Sequence, residues 1–414
     1  MKKKKFKLAT LGCRTNQYET QAYRDQLLQM GYQEAKGEDE ADLCIVNTCT
    51  VTEGADRHSR HQIRHLLREH KKANVVVTGC MAEGKADMLQ KMGERVVVVP
   101  NRKKERLIAD LFHEEEVPEF SIKNFEAHTR AFVKVQDGCN SFCTYCIIPY
   151  VRGRSRSRPL PEVVDEVKRL VASGFREVVI TGINVGDYQD GEQGLADLVR
   201  SVDAVEGLSR VRLSSIDPDE VDDSLMDAIV NGKNTCPCMH IVLQSGSNVI
   251  LKRMNRKYNR QIFLNTIQRL KKASPTFTFT TDIIVGFPDE TEMDFKETME
   301  VVQEVKFAKV HMFPYSPRER TRAALYKNQV AQEVVKRRKQ ELLDLSDAVA
   351  FDLREQYVGK EATVLIENSR ENFLYGHTDN FLKVTIPKKH FRPNELVKVQ
   401  LNKNTLEGLV GEAL

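Results

Sequence analysis

The sequence predicts an α/β protein in three parts: an N-terminal open parallel α/β domain, a central partial (βα)6 barrel and a small C-terminal all-β barrel. Three observations carry this. Short β-rich runs alternate with helical patterns over the first hundred residues; six further strand-then-helix units follow residue 131; and after Gly359 the texture changes to short strands with period-two alternation. A chain of 414 residues leaves room for two or three domains, and 41% hydrophobic residues suffice for ordinary cores. The expected divisions are 1–115, 125–356 and 357–414.

In the first part, strands are expected at 6–11, 43–47, 75–78 and 96–99, and the first three each end beside a cysteine: Leu11-Gly12-Cys13, Asn47-Thr48-Cys49 and Thr78-Gly79-Cys80. The carboxyl ends of the strands in an open parallel sheet share one edge, where such folds bind ligands. Three thiols far apart in sequence therefore converge there. The alternative for each cysteine alone is a small buried residue, and repetition at three strand ends weighs against it. Cys44, inside its apolar run, belongs to the core.

Acidic and polar residues around Pro118, at 114–127, read as a linker. The barrel strands follow at 131–136, 177–181, 210–216, 240–244, 277–285 and 306–314. Directly after the first, on the rim where barrels carry their chemistry, lies a CxxxCxxC loop made of Cys139, Cys143 and Cys146. A 4Fe-4S cluster is normally held by four thiolates, so three leave one iron open to a small molecule. A zinc loop would bring a fourth Cys or His nearby, and none follows within reach.

No run of eighteen apolar residues is present, so no membrane partner is expected. The basic residues Lys2 to Lys5 precede a strand pattern rather than a signal-peptide apolar region, which points to the cytoplasm. Nine cysteines in that setting argue for metal ligation or reduced thiols rather than a disulfide framework. Cys236-Pro237-Cys238 reads as a loop rather than a third metal site. The net charge of +4 restricts nucleic-acid binding to local patches. Arg152, Arg154, Arg156 and Arg158 alternate, so an extended backbone would line them on one face, suited to phosphates; the alternative is a solvated charge run. Lys252, Arg253, Arg256, Lys257 and Arg260 form a second patch, and 336–339 a third in a helical, solvent-facing pattern. In the last part, strands are expected at 362–367, 373–377, 381–386 and 396–401. Phe373, Tyr375 and Phe381 suit base stacking, with Lys383, Lys388 and Lys389 near phosphates, or else the aromatics fill the barrel core.

In order along nearly the whole chain, these pieces resemble the methylthiotransferases of the radical S-adenosylmethionine (SAM) superfamily: Leu11-Gly12-Cys13, Val46-Asn47-Thr48-Cys49, Gly79-Cys80-Met81, the CxxxCxxC loop with Ile147-Ile148-Pro149-Tyr150, Gln244-Ser245-Gly246-Ser247, and Asp282 to Pro288. The resemblance implies that Cys139, Cys143 and Cys146 hold a 4Fe-4S cluster whose electron cleaves SAM to a 5′-deoxyadenosyl radical. It implies an auxiliary 4Fe-4S cluster on Cys13, Cys49 and Cys80, associated with the transferred sulfur, and a second SAM as methyl donor. Gly182, Asn184, Ser214, Gln244, Ser245, Asp282 and Gly286 are the expected SAM contacts, with loop capping as the alternative for the polar ones. Residues after Gly359 resemble a TRAM domain, an RNA-binding module.

Gly12-Cys13-Arg14-Thr15-Asn16-Gln17-Tyr18-Glu19 is most similar to the branch that modifies N6-threonylcarbamoyladenosine beside the tRNA anticodon. Branches acting on isopentenyladenosine or on a ribosomal-protein aspartate usually differ after the first cysteine. The expected partners are thus a tRNA anticodon stem-loop, an electron donor and a sulfur source, with no DNA. A non-catalytic iron–sulfur RNA-binding protein would explain the cysteines and basic patches but not the loop and barrel. One departure is Arg320-Thr321 where the family often has Gly-Thr.

Overall fold

The computed structural model describes residues 4–37, 39–113, 116–125 and 129–414. Lys2 and Lys3 of the basic start, and Glu114, Glu115, Glu126 and Ala127 of the linker reading, lie outside the described residues.

Five parallel strands, β1 (Lys5–Thr10), β2 (Gln33–Glu34), β3 (Leu43–Thr48), β4 (Asn74–Gly79) and β5 (Val96–Val98), form an open sheet in the order β2-β1-β3-β4-β5. Helices cover both faces because β3 and β4 are apolar at successive positions. Cys44, Val46, Val75 and Val77 meet Ile63 and Leu66 of helix α2 (Glu53–Glu69), while Leu43, Ile45 and Val76 meet Tyr23 and Leu27 of helix α1 (Arg14–Gln29). Cys44 is buried, which pushes its thiol up to about 12. The strand order reverses between β1 and β3, and such a switch point opens a crevice at the carboxyl edge.

The stretch 116–125 packs down rather than hanging free. Ile122 and Phe125 are buried, and the backbone N–H groups of Ile122 and Lys123 donate to Glu166 and Asp25 at 2.9 and 2.6 Å.

The central strands are β6 (Arg130–Lys134), β7 (Glu177–Thr181), β8 (Arg210–Leu213), β9 (Cys238–His240), β10 (Thr278–Val285) and β11 (Lys309–Pro314). They run parallel as two three-stranded sheets, joined by the bridges Val211↔Thr235 and Ile216↔Ile241. Period-two alternation turns Val133, Val178, Ile180, Val211, Ile283 and Val310 outward into one large core with the surrounding helices. Several inward positions are polar, among them Arg130, Glu177, Arg212, His240 and Asp282, beside the apolar Phe132, Val179 and Phe313.

A 24-residue helix, Gln332–Glu355, leads to a closed barrel of β12 (Glu361–Arg370), β13 (Phe373–Thr378), β14 (Lys383–Pro387), β15 (Leu396–Thr405) and β16 (Gly408–Ala413), in the order β12-β13-β14-β16-β15. This adds a fifth strand, β16, to the four expected. The small barrel plugs the amino-terminal end of the central strands. Arg210 donates to the carbonyls of Thr363 and His377 at 2.6 and 3.0 Å, Arg212 donates to that of Thr378 at 2.9 Å, and Arg130 pairs with Glu367 at 2.9 Å. Phe381 lies between the guanidiniums of Arg130 and Arg212, 5.0 Å from each. It serves this junction rather than presenting a free stacking face; Phe373 stays 41% exposed.

Candidate active site

Cys13 caps α1, Cys49 follows β3, and Cys80 opens a short helix after β4, so the three thiols meet at the switch-point edge. Gly12 has φ +97°, and a Cβ there would lie 2.8 Å from Cys49 Cβ and 3.0 Å from its Sγ; only glycine fits so close to the thiol. Asn16 fastens the edge, donating to the carbonyls of Leu11 and Thr48 at 2.6 and 3.1 Å. Ser59 Oγ donates to the Cys49 carbonyl at 3.0 Å. Burial raises the Cys49 thiol and pushes Cys80 up to about 12, with the neighbouring cysteines adding to both.

The CxxxCxxC loop leaves β6 through Gly138, at φ +75°, where a Cβ would sit 2.1 Å from the Arg154 carbonyl oxygen. Ser141 N–H donates to Cys139 Sγ at 3.4 Å, and Arg256 donates to Cys143 Sγ at 2.9 Å. Arg256 also pairs with Asp217. Burial and then Cys143 raise the Cys146 thiol. Thr144 anchors the far side, its N–H on the Met254 carbonyl at 3.0 Å and its hydroxyl on that of Arg253 at 2.8 Å. Among the described residues no group of three or more His, Cys, Asp or Glu is gathered tightly enough to hold one metal ion. A four-iron cluster engages its thiolates on separate irons, and a donor set of sulfurs alone suits it.

The strand-end trio and Cys146 of the loop face one cleft. A lobe of about 470 Å3 touches Cys13, Cys49, Cys146, Tyr145, Gln244 and Asp282. A second, of about 530 Å3, touches Cys13, Cys49, Cys80, Gly182, Ser214 and Asp282. Gln244 takes φ +63°, and its buried Oε1 has no partner among the described residues, leaving an acceptor beside the first lobe. The fit to a polar cofactor is therefore good.

Of the expected SAM contacts, Gly182, Ser214, Gln244 and Asp282 line these lobes, and three do not. Asn184 donates to Glu220 at 2.7 Å, an acid pushed up to about 7 by burial and by Asp217. Ser245 Oγ accepts from Ser247 N–H at 3.2 Å, and Gly286 N–H donates to Glu290 at 3.0 Å. These hold loops in shape.

The expected row of four arginines is corrected. Gly153 at φ +82° breaks the extended run, and Arg152 turns fully inward to Glu19 at 3.2 Å and Asp137 at 2.8 Å. Lys104 joins it, 2.7 Å from Glu19 and paired with Asp137, while Lys134 lies 3.0 Å from Glu105. This buried ion cluster ties the N-terminal sheet to the residue preceding the CxxxCxxC loop. Lys104 and Arg152 together hold Glu19 down to about 2 against the opposing effect of burial. Arg158 pairs with Glu166 at 2.5 Å and reaches Tyr18 at 3.0 Å. Only Arg154, stacked 4.2 Å over Phe142, and Arg156 stay exposed.

Sequence reasoning missed three features. Arg256 was grouped with surface charges, yet only its fold position puts it on Cys143. Gln136 links the rims, accepting from the N–H groups of Ile183 and Asn184 at 2.9 and 3.0 Å. His240 and His311 stand 5.7 Å apart, His240 lying 3.4 Å from Asp282; inward placement at strand ends was the available signal. Arg320 occupies a left-handed position, φ +72°, over Tyr150, a conformation that glycine adopts more readily.

The Radical SAM superfamily profile matches residues 133–302, and that of uncharacterized protein family UPF0004 matches 5–100. Over 410 residues the chain is 48% identical to the threonylcarbamoyladenosine tRNA methylthiotransferase MtaB of Chlamydia pneumoniae, spanning 98% of this chain and 97% of that one. The protein of that name from Bacillus subtilis (strain 168) is 37% identical, with 95% and 93% covered. A tRNA-2-methylthio-N(6)-dimethylallyladenosine synthase from Desulfitobacterium hafniense is 34% identical, with 99% and 97% covered. Among solved structures, the radical S-adenosylmethionine methyltransferase TsrM from Kitasatospora setae shares the fold, with a TM-score of 0.55 at 13% identity over 76% of this chain and 77% of that one. The chain belongs to the radical SAM tRNA methylthiotransferase family.

Proposed function

We propose that this enzyme converts N6-threonylcarbamoyladenosine at position 37 of tRNA, in the anticodon stem-loop, to its 2-methylthio derivative. The observation that carries the reading is one cleft touched by Cys13, Cys49 and Cys80 from the strand ends and by Cys146 from the CxxxCxxC loop, Cys13 and Cys49 being common to both lobes. Family membership brings a 4Fe-4S cluster and SAM. In this reading Cys139, Cys143 and Cys146 hold that cluster, and Cys13, Cys49 and Cys80 hold a second beside the substrate. When bound, the clusters and SAM supply the radical that removes an unreactive aromatic hydrogen, and the sulfur and methyl group that replace it.

The chain's own residues do the positioning. Gln244, Ser214 and Asp282 offer acceptors and a donor to SAM, and Gly182 lets it approach the rim. Arg256 places positive charge against the Cys143 sulfur. Tyr145 and Phe313 wall the first lobe with apolar surface and exclude water from the reacting carbon. Arg154 and Arg156, with the exposed Lys252 and Lys257 of the second basic patch, are the phosphate contacts, and a cytoplasmic setting follows from the tRNA substrate. An electron donor and a sulfur source complete the reaction. No helix among the described residues is long and apolar enough to cross a membrane.

Nucleoside mass spectrometry of tRNA tests this in cells lacking the gene and in complemented cells. Loss and return of 2-methylthio-N6-threonylcarbamoyladenosine is expected. If methylthiolated isopentenyladenosine disappears instead, the chemistry stands and the substrate is wrong; if neither changes, the reading fails.

A further inference from the structure

A side chamber of about 290 Å3 opens off the second lobe, sharing Arg14, Gln17 and His240 with it and ending against Phe381 of the small barrel. Three guanidiniums, those of Arg14, Arg130 and Arg212, line it, and no carboxylate does. Arg130 and Arg212 have acidic partners outside the chamber: Glu367 and Glu177 for Arg130, and Glu177 at 2.7 Å for Arg212. Arg14 has none. Its contact is the face of Phe132, 5.5 Å away, and among the described residues it makes no ion pair or side-chain hydrogen bond. It stands open to solvent within the cavity, one residue from Cys13. His240, also on the chamber wall, makes no hydrogen bond through Nε2 among the described residues, but that nitrogen lies 3.4 Å from the Asp282 carboxylate, which marks the chamber's border with the second lobe. A chamber built this way takes a small anionic group with hydrogen-bonding capacity.

We propose that Arg14 binds the threonyl carboxylate of the substrate's N6 substituent, and so selects an acid-bearing adenosine over one carrying an uncharged group. The inference rests on the substrate reading above. On adenine, carbon 2 and carbon 6, which bears N6, flank the same ring nitrogen, so a base presenting carbon 2 to Cys13, Cys49 and Cys80 directs its N6 substituent along the adjoining wall. That is where Arg14 opens the side chamber. A dimethylallyl substituent has no charge to offer this guanidinium.

The test compares two anticodon stem-loops, one carrying N6-threonylcarbamoyladenosine and one carrying its threonyl methyl ester, for binding to reconstituted enzyme. Wild type is expected to bind the acid about tenfold or more tightly than the ester, the range of a charge-assisted contact. Arg14→Ala and Arg14→Gln should bring acid and ester to equal affinity, and Arg14→Lys should keep part of the preference. An acid-to-ester ratio unchanged in both neutral variants overturns the proposal. A loss of SAM affinity at that unchanged ratio would identify the carboxylate as that of methionine. If wild type neither binds nor methylthiolates the threonylcarbamoyl stem-loop but does act on an isopentenyl one, the underlying substrate reading fails and this inference falls with it.

Discussion

Cys139, Cys143 and Cys146 share one loop, whereas Cys13, Cys49 and Cys80 are collected from three strand ends of a five-stranded sheet. The first set is spaced by the chain itself, with Gly138 at the loop entry, and is then fastened through Thr144 and Cys143 to Arg253 and Arg256, 109 and 113 positions away. The second set exists only while β1, β3 and β4 keep their register, with Asn16 and Gly12 closing the gap between strands. One site is therefore written in the chain and the other in the fold. A buried ion cluster of Glu19, Arg152, Lys104 and Asp137 joins them, so disturbance of either domain reaches both.

The sharpest contrast lies between single ligands. Cys139→Ala is expected to abolish SAM cleavage and methylthiolation together, whereas Cys80→Ala should abolish methylthiolation and leave 5′-deoxyadenosine production measurable by chromatography. Equal loss of SAM cleavage in both would collapse the division of labour.

Next in size is Glu19→Gln, which removes one of the two buried carboxylates that Lys104 and Arg152 share and leaves both cations to Asp137. A loss of about 3–5 kcal/mol is expected in urea unfolding. Glu19 falls on folding from its ordinary 4.5 to about 2, so its contribution is complete above pH 4.5 and disappears as pH drops toward 2. The variant's acid unfolding curve should lack that component.

Gly12→Ala forces a left-handed backbone on a residue with a side chain and drives its Cβ into Cys49. A cost of about 1–2 kcal/mol is expected, with iron lost from the strand-end site and retained on the loop. Smallest is Arg256→Ala, which removes a cationic donor from the Cys143 sulfur. Redox titration should place the loop cluster about 60 mV more negative, a tenfold step for one electron.

Legibility in the sequence followed the same division between chain and fold. The CxxxCxxC loop was readable from spacing, and the strand-end cysteines from a repeated position within an alternating pattern. Strand ends were less legible. Residues 240–244 were expected as a strand, but the ladder is Cys238–His240; beyond it Ile241 and Gln244 make isolated bridges to Ile216 and Ile283, and Gln244 turns to φ +63°. The arginine row failed because charge alternation does not reveal partners. Glu19 and Asn16, which hold Arg152, lie more than 130 positions away. The fifth strand of the small barrel was missed because β16 carries two glycines, Gly408 and Gly411, which weaken a strand pattern, and it is defined by pairing with β15 and a two-residue contact with β14.

Iron and sulfide content, with electron paramagnetic resonance, of anaerobically reconstituted full-length protein tests the central claim most directly. The comparison is between wild type and variants lacking one whole trio at a time. Two 4Fe-4S clusters are expected in wild type, and one, with a distinct spectrum, in each variant. Unchanged iron after removal of Cys13, Cys49 and Cys80 would contradict a cluster at the strand ends, and with it the two-site account.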